Sequence, residues 1–412
     1  MINFRMLKLS DLLLWIATGA LILIGFLAIF SSTYSMQLRL GGDPLFYIKR
    51  QFLSLLIGGA GLALFAYVDY KHLKRISFLF YALMLILLVL ILFVGGGRES
   101  AQRWFQIGPF SFQPSELSKI VIVLWLAAFL SARQKMRGLW DGLLLIAMIG
   151  VPFLLVFKQP DLGTALVFIF IMLGMLASSE FSSKLLLVMV TPMISILLRP
   201  FFYVWIVYLV LLAVILFMSR ASFWDWLLIF GLNIAVGVAL PYIWEMLKGY
   251  QKQRILSFLD PSSDPQGAGY HGLQSLIAVG SGGIFGKGFL RGTQTQLQFI
   301  PEQHSDFVFA AVGEEFGFFG AVVVLSLFAL FIWRALAIAG EANDPFGYLL
   351  ASGIVSMTAF HVFANIGMTL GLLPVVGMPL PFLSFGGSSL IMNMMAVGML
   401  QSIAMRRRKI IF

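Results

Sequence analysis

Twelve apolar runs divide this chain, near residues 12–31, 52–68, 76–95, 116–132, 140–157, 162–178, 184–198, 200–218, 223–246, 306–334, 346–373 and 385–404. Most are about as long as a helix must be to cross hydrocarbon, and they lack the polar alternation of a half-buried strand. In a bilayer every backbone N–H and C=O must be bonded within the chain, which leaves helices or a closed barrel. Unbroken runs select helices. The expected fold class is therefore all-α: a polytopic integral membrane protein of about 12 transmembrane helices, forming one domain over residues 1–412. With 60% hydrophobic and 11% charged residues, no soluble domain is visible. The run 184–198 is short and reads as a span or a re-entrant segment. Arg5, Lys8 and the following run resemble a signal peptide, but the run from about Leu12 to Phe30 is too long and lacks a clear cleavage site, so it reads as a retained first span. Cysteine is absent, which excludes disulfides and thiol chemistry.

Orientation follows from Lys and Arg. With the N-terminus inside, alternate loops collect Arg5 and Lys8; Lys71, Lys74 and Arg75; Arg133, Lys135 and Arg137; Lys184; Arg220; Arg334; and Arg406 to Lys409. The positive-inside rule thus places both termini in the cytoplasm. The net charge of +10 is accounted for by cytoplasmic loops against anionic membrane lipids, not by nucleic acid. By parity the loop at about 96–115, the turn at 158–161 and the segment 246–305 face outward.

That last segment is a large extracytoplasmic loop, too long for a passive linker. It carries Lys252, Arg254, Lys287 and Arg291, two of them among glycines, then Glu302, His304 and Asp306 before an apolar helix. Cations on glycine hinges suit a phosphate-bearing ligand, although solvated charges are the plain alternative. Gly267 to Gly272 matches GxGxxG formally, but no strand precedes it, so a dinucleotide site is rejected. Asp306 reads as a cap of the next helix or as a general base at the membrane interface. His304 and Asp306 could instead share a metal ion, but two ligands are a weak signal. Glu116 and Lys119 share a helix face, as an ion pair, an anion subsite or both. Asp161 reads as a helix cap and Trp104, beside Arg103, as an interfacial anchor or a platform for a sugar or lipid head. Ser384 to Ser389, after the Pro- and Gly-rich stretch 373–382, suggests close packing or a ligand wall.

These motifs resemble the SEDS family (shape, elongation, division and sporulation). The resemblance is carried by Arg103-Trp104, Gln113-Pro114-Ser115-Glu116 with Lys119, Gln159 to Thr164, Asp260-Pro261 through His271, Gly292 to Gln296, Pro301 to Phe307, Gly313 to Gly317 and Ser384 to Ser388. It covers nearly the whole chain, and Gly292 to Gln296 is closer to the branch serving elongation and rod shape than to the division branch. It implies a peptidoglycan glycosyltransferase that polymerises lipid II on the outer face of the bacterial cytoplasmic membrane, partnered by a class B penicillin-binding protein. It implies that Asp306 is the essential aspartate and that Trp104, Glu116, Lys119 and Asp161 are sensitive positions. Two departures stand out. Ser305 replaces a usual Thr, and twelve spans exceed the usual ten, with the surplus pair between about 180 and 246. The mechanism expected has Asp306 as base. Lys119, Arg254, Lys287 and Arg291 neutralise the substrate diphosphate, with a divalent cation (Mg or Mn) as a candidate helper, and Arg103, Glu302 and His304 complete the substrate site. Rival readings are a lipid II flippase and a non-catalytic scaffold.

Overall fold

The computed structural model describes residues 9–94, 103–107, 110–133, 139–179, 183–219, 222–247, 249–259 and 268–407. All twelve apolar runs are helices. In chain order they are α1 (Leu12–Arg39), α2 (Phe46–Tyr67), α3 (Tyr70–Val94), α4 (Pro114–Ala132), α5 (Leu139–Lys158), α6 (Leu162–Ala177), α7 (Ser183–Leu198), α8 (Phe202–Met218) and α9 (Phe223–Met246). The large loop then holds α10 (Gly249–Leu259), α11 (Ala268–Ser281) and the one-turn α12 (Thr293–Leu297). The long helices α13 (Val308–Gly340), α14 (Pro345–Thr369) and α15 (Gly387–Arg406) follow. A short antiparallel hairpin, β1 (Phe105–Ile107) with β2 (Phe110–Phe112), pairs Phe105 with Phe112 just before α4. Eight of these helices are long and apolar enough to cross a membrane, with shorter apolar helices among the rest. The protein is a multi-pass, all-α membrane protein.

The ends of the helices follow local chemistry. Asp11 caps α1 by accepting from the Leu14 amide, Asp344 caps α14 ahead of Pro345, and Ser222 with Asp225 forms a capping box on α9. The centre of the bundle is α15, which is almost wholly buried although it is far from the most apolar helix. It can sit there because small residues let backbones approach. A side chain at Gly398 would lie 2.5 Å from the Leu62 carbonyl oxygen, and one at Gly58 would lie 2.7 Å from Met394 Sδ. Around α15 a continuous core runs through α1, α3 to α6, α13 and α14.

At one end of this bundle the chain is tied by charge. Arg334 Nη2 meets Asp11 Oδ2 at 2.5 Å, Arg407 pairs with Glu341, and Gln401 exchanges hydrogen bonds with the backbone of Asp11. Asp11 and Arg407 therefore lie at the same end. The helices α7 to α9 form a separate packing unit with its own apolar cluster of Leu212, Leu216 and Ile229. Its buried polar centre is occupied from within: Asn233 Nδ2 donates to Thr191 Oγ1 at 2.9 Å, and Trp205 Nε1 donates to Ser195 Oγ at 2.6 Å. The stretch from about 180 to 246, where a surplus pair was expected, holds these three helices.

The helix α13 is broken at Gly317, whose φ of 66° and ψ of −158° are not helical. A break inside an apolar helix strands backbone groups, and these must be bonded again. Residues 283–288 do this. Lys287 and Gly288 donate to the carbonyls of Glu314 and Glu315, while Phe318 and Phe319 donate to those of Gly283 and Ile284, at 2.9–3.2 Å. Gly286 and Gly317 have positive φ and touch, so neither position has space for a side chain.

Candidate active site

Opposite the charged end, a groove of about 400 Å³ is framed by the starts of five helices. Arg50, Leu53 and Ser54 face it from the first turns of α2, Gln113 and Glu116 from α4, and Asp161 and Thr164 from α6. Asp306 comes from just ahead of α13, and Gly386, Gly387 and Ser389 from α15. Each helix start carries roughly half a positive charge and unpaired amide donors. Of the residues singled out in the sequence, Arg103, Trp104, Glu116, Asp161, Glu302, His304 and Asp306 line this one groove.

Asp306 stands one residue ahead of the N-cap position of α13. The N-cap of α13 is Phe307, with no side-chain bond. The Asp306 backbone is fixed on both sides: its amide donates to Glu302 O at 3.0 Å, and its carbonyl accepts from Asn365 Nδ2 at 2.8 Å. Its half-buried carboxylate lies against Gly377, close enough that a side chain there would sit 3.2 Å from Oδ2. Gly377 has a φ of +68°, so the backbone at this contact is one that glycine favours. The ring of His304 packs against Tyr47 and Phe385, with centroids at 4.7 and 5.5 Å. Burial pushes the His304 pKa down and Glu302, 3.9 Å away, opposes it, so the ring is neutral near pH 7.

Glu116 and Lys119 form a buried pair at 2.7 Å, with side-chain exposures of 5% and 4%. Lys119 Nζ also lies 3.1 Å from His361 Nε2. The second Glu116 oxygen has no hydrogen-bond partner among the described residues, and Glu116 lines the groove. Asp161 is the N-cap of α6, as expected, and also a hub. Its carboxylate accepts from the Thr164 amide and hydroxyl, Ser115 Oγ and Gln113 Nε2 at 3.0–3.2 Å. Arg103 does not point a free charge into the groove. It donates to the carbonyls of Gln159, at 2.7 Å, and of Pro160. This fixes the hairpin, and Trp104 with it, over the start of α6.

Two expected cations are elsewhere. Lys287 Nζ is held by Glu314 at 2.8 Å, and the same carboxylate accepts from the Gln294 and Thr295 amides at 2.9 Å and Thr295 Oγ1 at 2.7 Å. The glycine-rich run and the Gly292 to Gln296 motif therefore close a clamp around the break in α13. Arg291 is exposed and does not line the groove. Arg254 lies on α10, but its side chain, like residues 260–267 with Asp260 and Pro261, is outside the described residues. Among the described residues no group of three or more His, Cys, Asp or Glu could hold a metal ion. Reasoning from the sequence missed two titratable groove residues. Arg50 lies in an otherwise unremarkable span start. His361 is a lone histidine inside an apolar span, and the cost of placing such a group there was the signal available.

Comparison with known proteins places this architecture. A family model described as "Cell cycle protein" and covering FtsW, RodA and SpoVE matches residues 11–206 and 183–409. The chain is 40% identical over 329 residues to the peptidoglycan glycosyltransferase MrdB of Escherichia coli strain K12, covering 80% of this chain and 77% of that one. It is 34% identical over 431 residues to the peptidoglycan glycosyltransferase RodA of Treponema pallidum, covering 96% and 98%. Among solved structures, it matches a chain from a peptidoglycan synthase complex studied for the coordination of polymerization and crosslinking. That match has 29% identity and a TM-score of 0.71, covering 97% of this chain and 98% of that one. The crystal structure of the Thermus thermophilus rod shape determining protein RodA matches at 26% identity with a TM-score of 0.62, covering 97% and 98%. The chain belongs to the SEDS family of FtsW, RodA and SpoVE proteins.

Proposed function

We propose that this SEDS-family peptidoglycan glycosyltransferase polymerises lipid II into glycan strands for wall elongation, with Asp306 as the general base. Its groove faces outward from the bacterial cytoplasmic membrane, and both termini face the cytoplasm. The observation that carries the reading is the half-buried Asp306 carboxylate, set against Gly377 on the wall of a groove ringed by helix starts. It takes the proton from the 4-hydroxyl of the acceptor sugar. That oxygen bonds to the anomeric carbon of the donor sugar, and the bond from that carbon to the diphosphate breaks. The polyprenyl diphosphate leaves with the electron pair. One base and a good leaving group give a single inverting displacement. Helix starts fixed in advance favour the negative charge that builds on the leaving group.

Glu116 lines the groove and keeps one buried oxygen without a partner among the described residues, which suits a sugar hydroxyl or amide donor. Lys119 supplies the counter-charge to that carboxylate, while Asp161 and Arg103 hold the walls. Trp104 offers the apolar face for a sugar ring. A Mg or Mn ion has no carboxylate cage of its own among the described residues. The groove carboxylates that could share one with a diphosphate are Asp306 and Glu302. A class B penicillin-binding protein is the proposed partner, in line with the synthase complex that the fold resembles.

A flippase is the reading to exclude, since a broken helix is common in transporters. In this protein both sides of the break in α13 are bonded to residues 283–288 and to the Glu314 clamp, which favours a fixed wall over a moving gate. The test is polymer formation from lipid II by purified protein in detergent, where no second compartment exists. Asp306→Asn is expected to abolish the polymer and keep the thermal midpoint. Labelled lipid II crossing vesicles without polymer would favour the flippase.

A further inference from the structure

We infer that Arg50 is the cation that receives the diphosphate of a polyprenyl-linked substrate in the groove; this deepens the glycosyltransferase reading and rests on it. The groove as built has an excess of acid. Glu116, Asp161, Glu302 and Asp306 line it, against Arg50 and Arg103, and Lys119 behind the wall offsets only Glu116. A diphosphate entering a wall of that charge is repelled unless a cation is available to meet it. Arg291 lies off the groove, and three other expected cations are occupied. Arg103 donates to the Gln159 and Pro160 carbonyls, Lys119 is buried against Glu116, and Lys287 is held by Glu314 at the clamp.

Arg50 differs from all three. Its side chain is exposed at the groove and makes no ion pair among the described residues. Its guanidinium rests over the Phe46 ring, 4.6 Å from the centroid, an arrangement that orients the group without neutralising it. The next residue fixes where it stands. Gln51 Nε2 donates to Ser384 O at 3.2 Å, and its Oε1 accepts from the Gly386 amide at 3.3 Å. Gly386 is the N-cap of α15. These bonds lock the first turns of α2 beside the start of α15, so that one guanidinium and one helix N-terminus border the same stretch of groove. A planar fork of donors beside the positive end of a helix is matched to paired phosphate oxygens. Glycines 386 and 387 leave the approach to that helix start free of bulky side chains.

The experiment compares wild type, Arg50→Ala and Arg50→Lys, purified in detergent, for lipid II polymerisation and for inhibition by polyprenyl diphosphate and by the matching uncharged polyprenol. For Arg50→Ala, kcat/KM is expected to fall about 10- to 100-fold, the range for a lost charge-assisted bond. The inhibition constant for the diphosphate rises by a similar factor, and that for the polyprenol stays put. Arg50→Lys recovers part of the loss, because it keeps the charge but not the fork, and it also serves if the alanine variant does not accumulate. An unchanged inhibition constant for the diphosphate, or equal weakening of both inhibitors, overturns the assignment. If wild type binds the diphosphate through Arg50 but makes no polymer, the glycosyltransferase reading fails and the Arg50 site stands.

Discussion

Lys119→Met offers the sharpest structural test. The ammonium it removes lies 2.7 Å from Glu116 Oε1 and 3.1 Å from His361 Nε2, in a place where both charged side chains are about 95% buried. Without it, the Glu116 carboxylate remains in the bundle with no counter-charge. Breaking a buried pair by removing one partner costs about 3–5 kcal/mol, whereas removing both charges is far cheaper. At roughly 2 °C per kcal/mol for a large domain, the single variant should lose about 6–10 °C of thermal midpoint. The double variant Glu116→Gln, Lys119→Met should regain most of that. A double-mutant cycle on unfolding followed by tryptophan fluorescence should give a coupling of about 2–3 kcal/mol. Polymerisation measured on the same preparations separates the two roles of the pair. The restored double variant should remain inactive, because the Glu116 carboxylate at the groove wall has lost its charge. A Lys119→Met protein as stable as wild type, or a double variant no more stable than the single, would mean that the pair does not hold Glu116 in the bundle.

Three other outcomes are expected. Gly377→Ala forces a residue with a side chain into φ of +68° and sets a methyl group 3.2 Å from Asp306 Oδ2. About 1–2 kcal/mol of strain and a kcat roughly tenfold lower with KM little changed should follow, as steady-state kinetics can check. Glu314→Ala opens the clamp on Lys287 and residues 293–295, so limited proteolysis should cut between about 287 and 297, with a stability loss of about 3–5 kcal/mol. His304 is held below its ordinary pKa of 6.5 by burial, so the unfolded chain binds more protons there than the folded one. Stability should therefore fall as pH drops below about 6.5, and His304→Gln should flatten that slope in midpoint measurements at pH 5.5 to 7.5.

The spans were legible because the bilayer leaves so few solutions; each apolar run became a helix. The ring of groove residues was legible in part. Glu116, Asp161 and Asp306 each stand at or near a helix start, and a carboxylate placed there inside a greasy chain announces itself. What the sequence did not carry was competition for partners. Lys287 on its glycine hinge has the look of a phosphate ligand until Glu314, 27 residues later, proves to hold it. Arg50 shows the converse. Its neighbour Gln51 reaches Ser384 and Gly386 more than 330 residues away, so no local pattern could reveal that the arginine borders the groove. The break at Gly317 was hidden for a similar reason. A glycine in an apolar run reads as a tolerated helix residue, and only the returning segment 283–288 makes the break tolerable. The loop at 246–305 was expected as polar chain, but its described residues include three helices, with α11 seated against α13.

The central claim is that one carboxylate at the head of α13 takes the proton in glycan polymerisation. The direct measurement is the single-turnover rate of glycan formation from lipid II by purified wild type, Asp306→Asn and Asp306→Glu, each with lipid II binding measured alongside. Asp306→Asn is expected to bind lipid II within a few-fold of wild type while polymerising at least about 100-fold more slowly, the lower range of a lost general base. Glycan synthesis by Asp306→Asn at near the wild-type rate would contradict it.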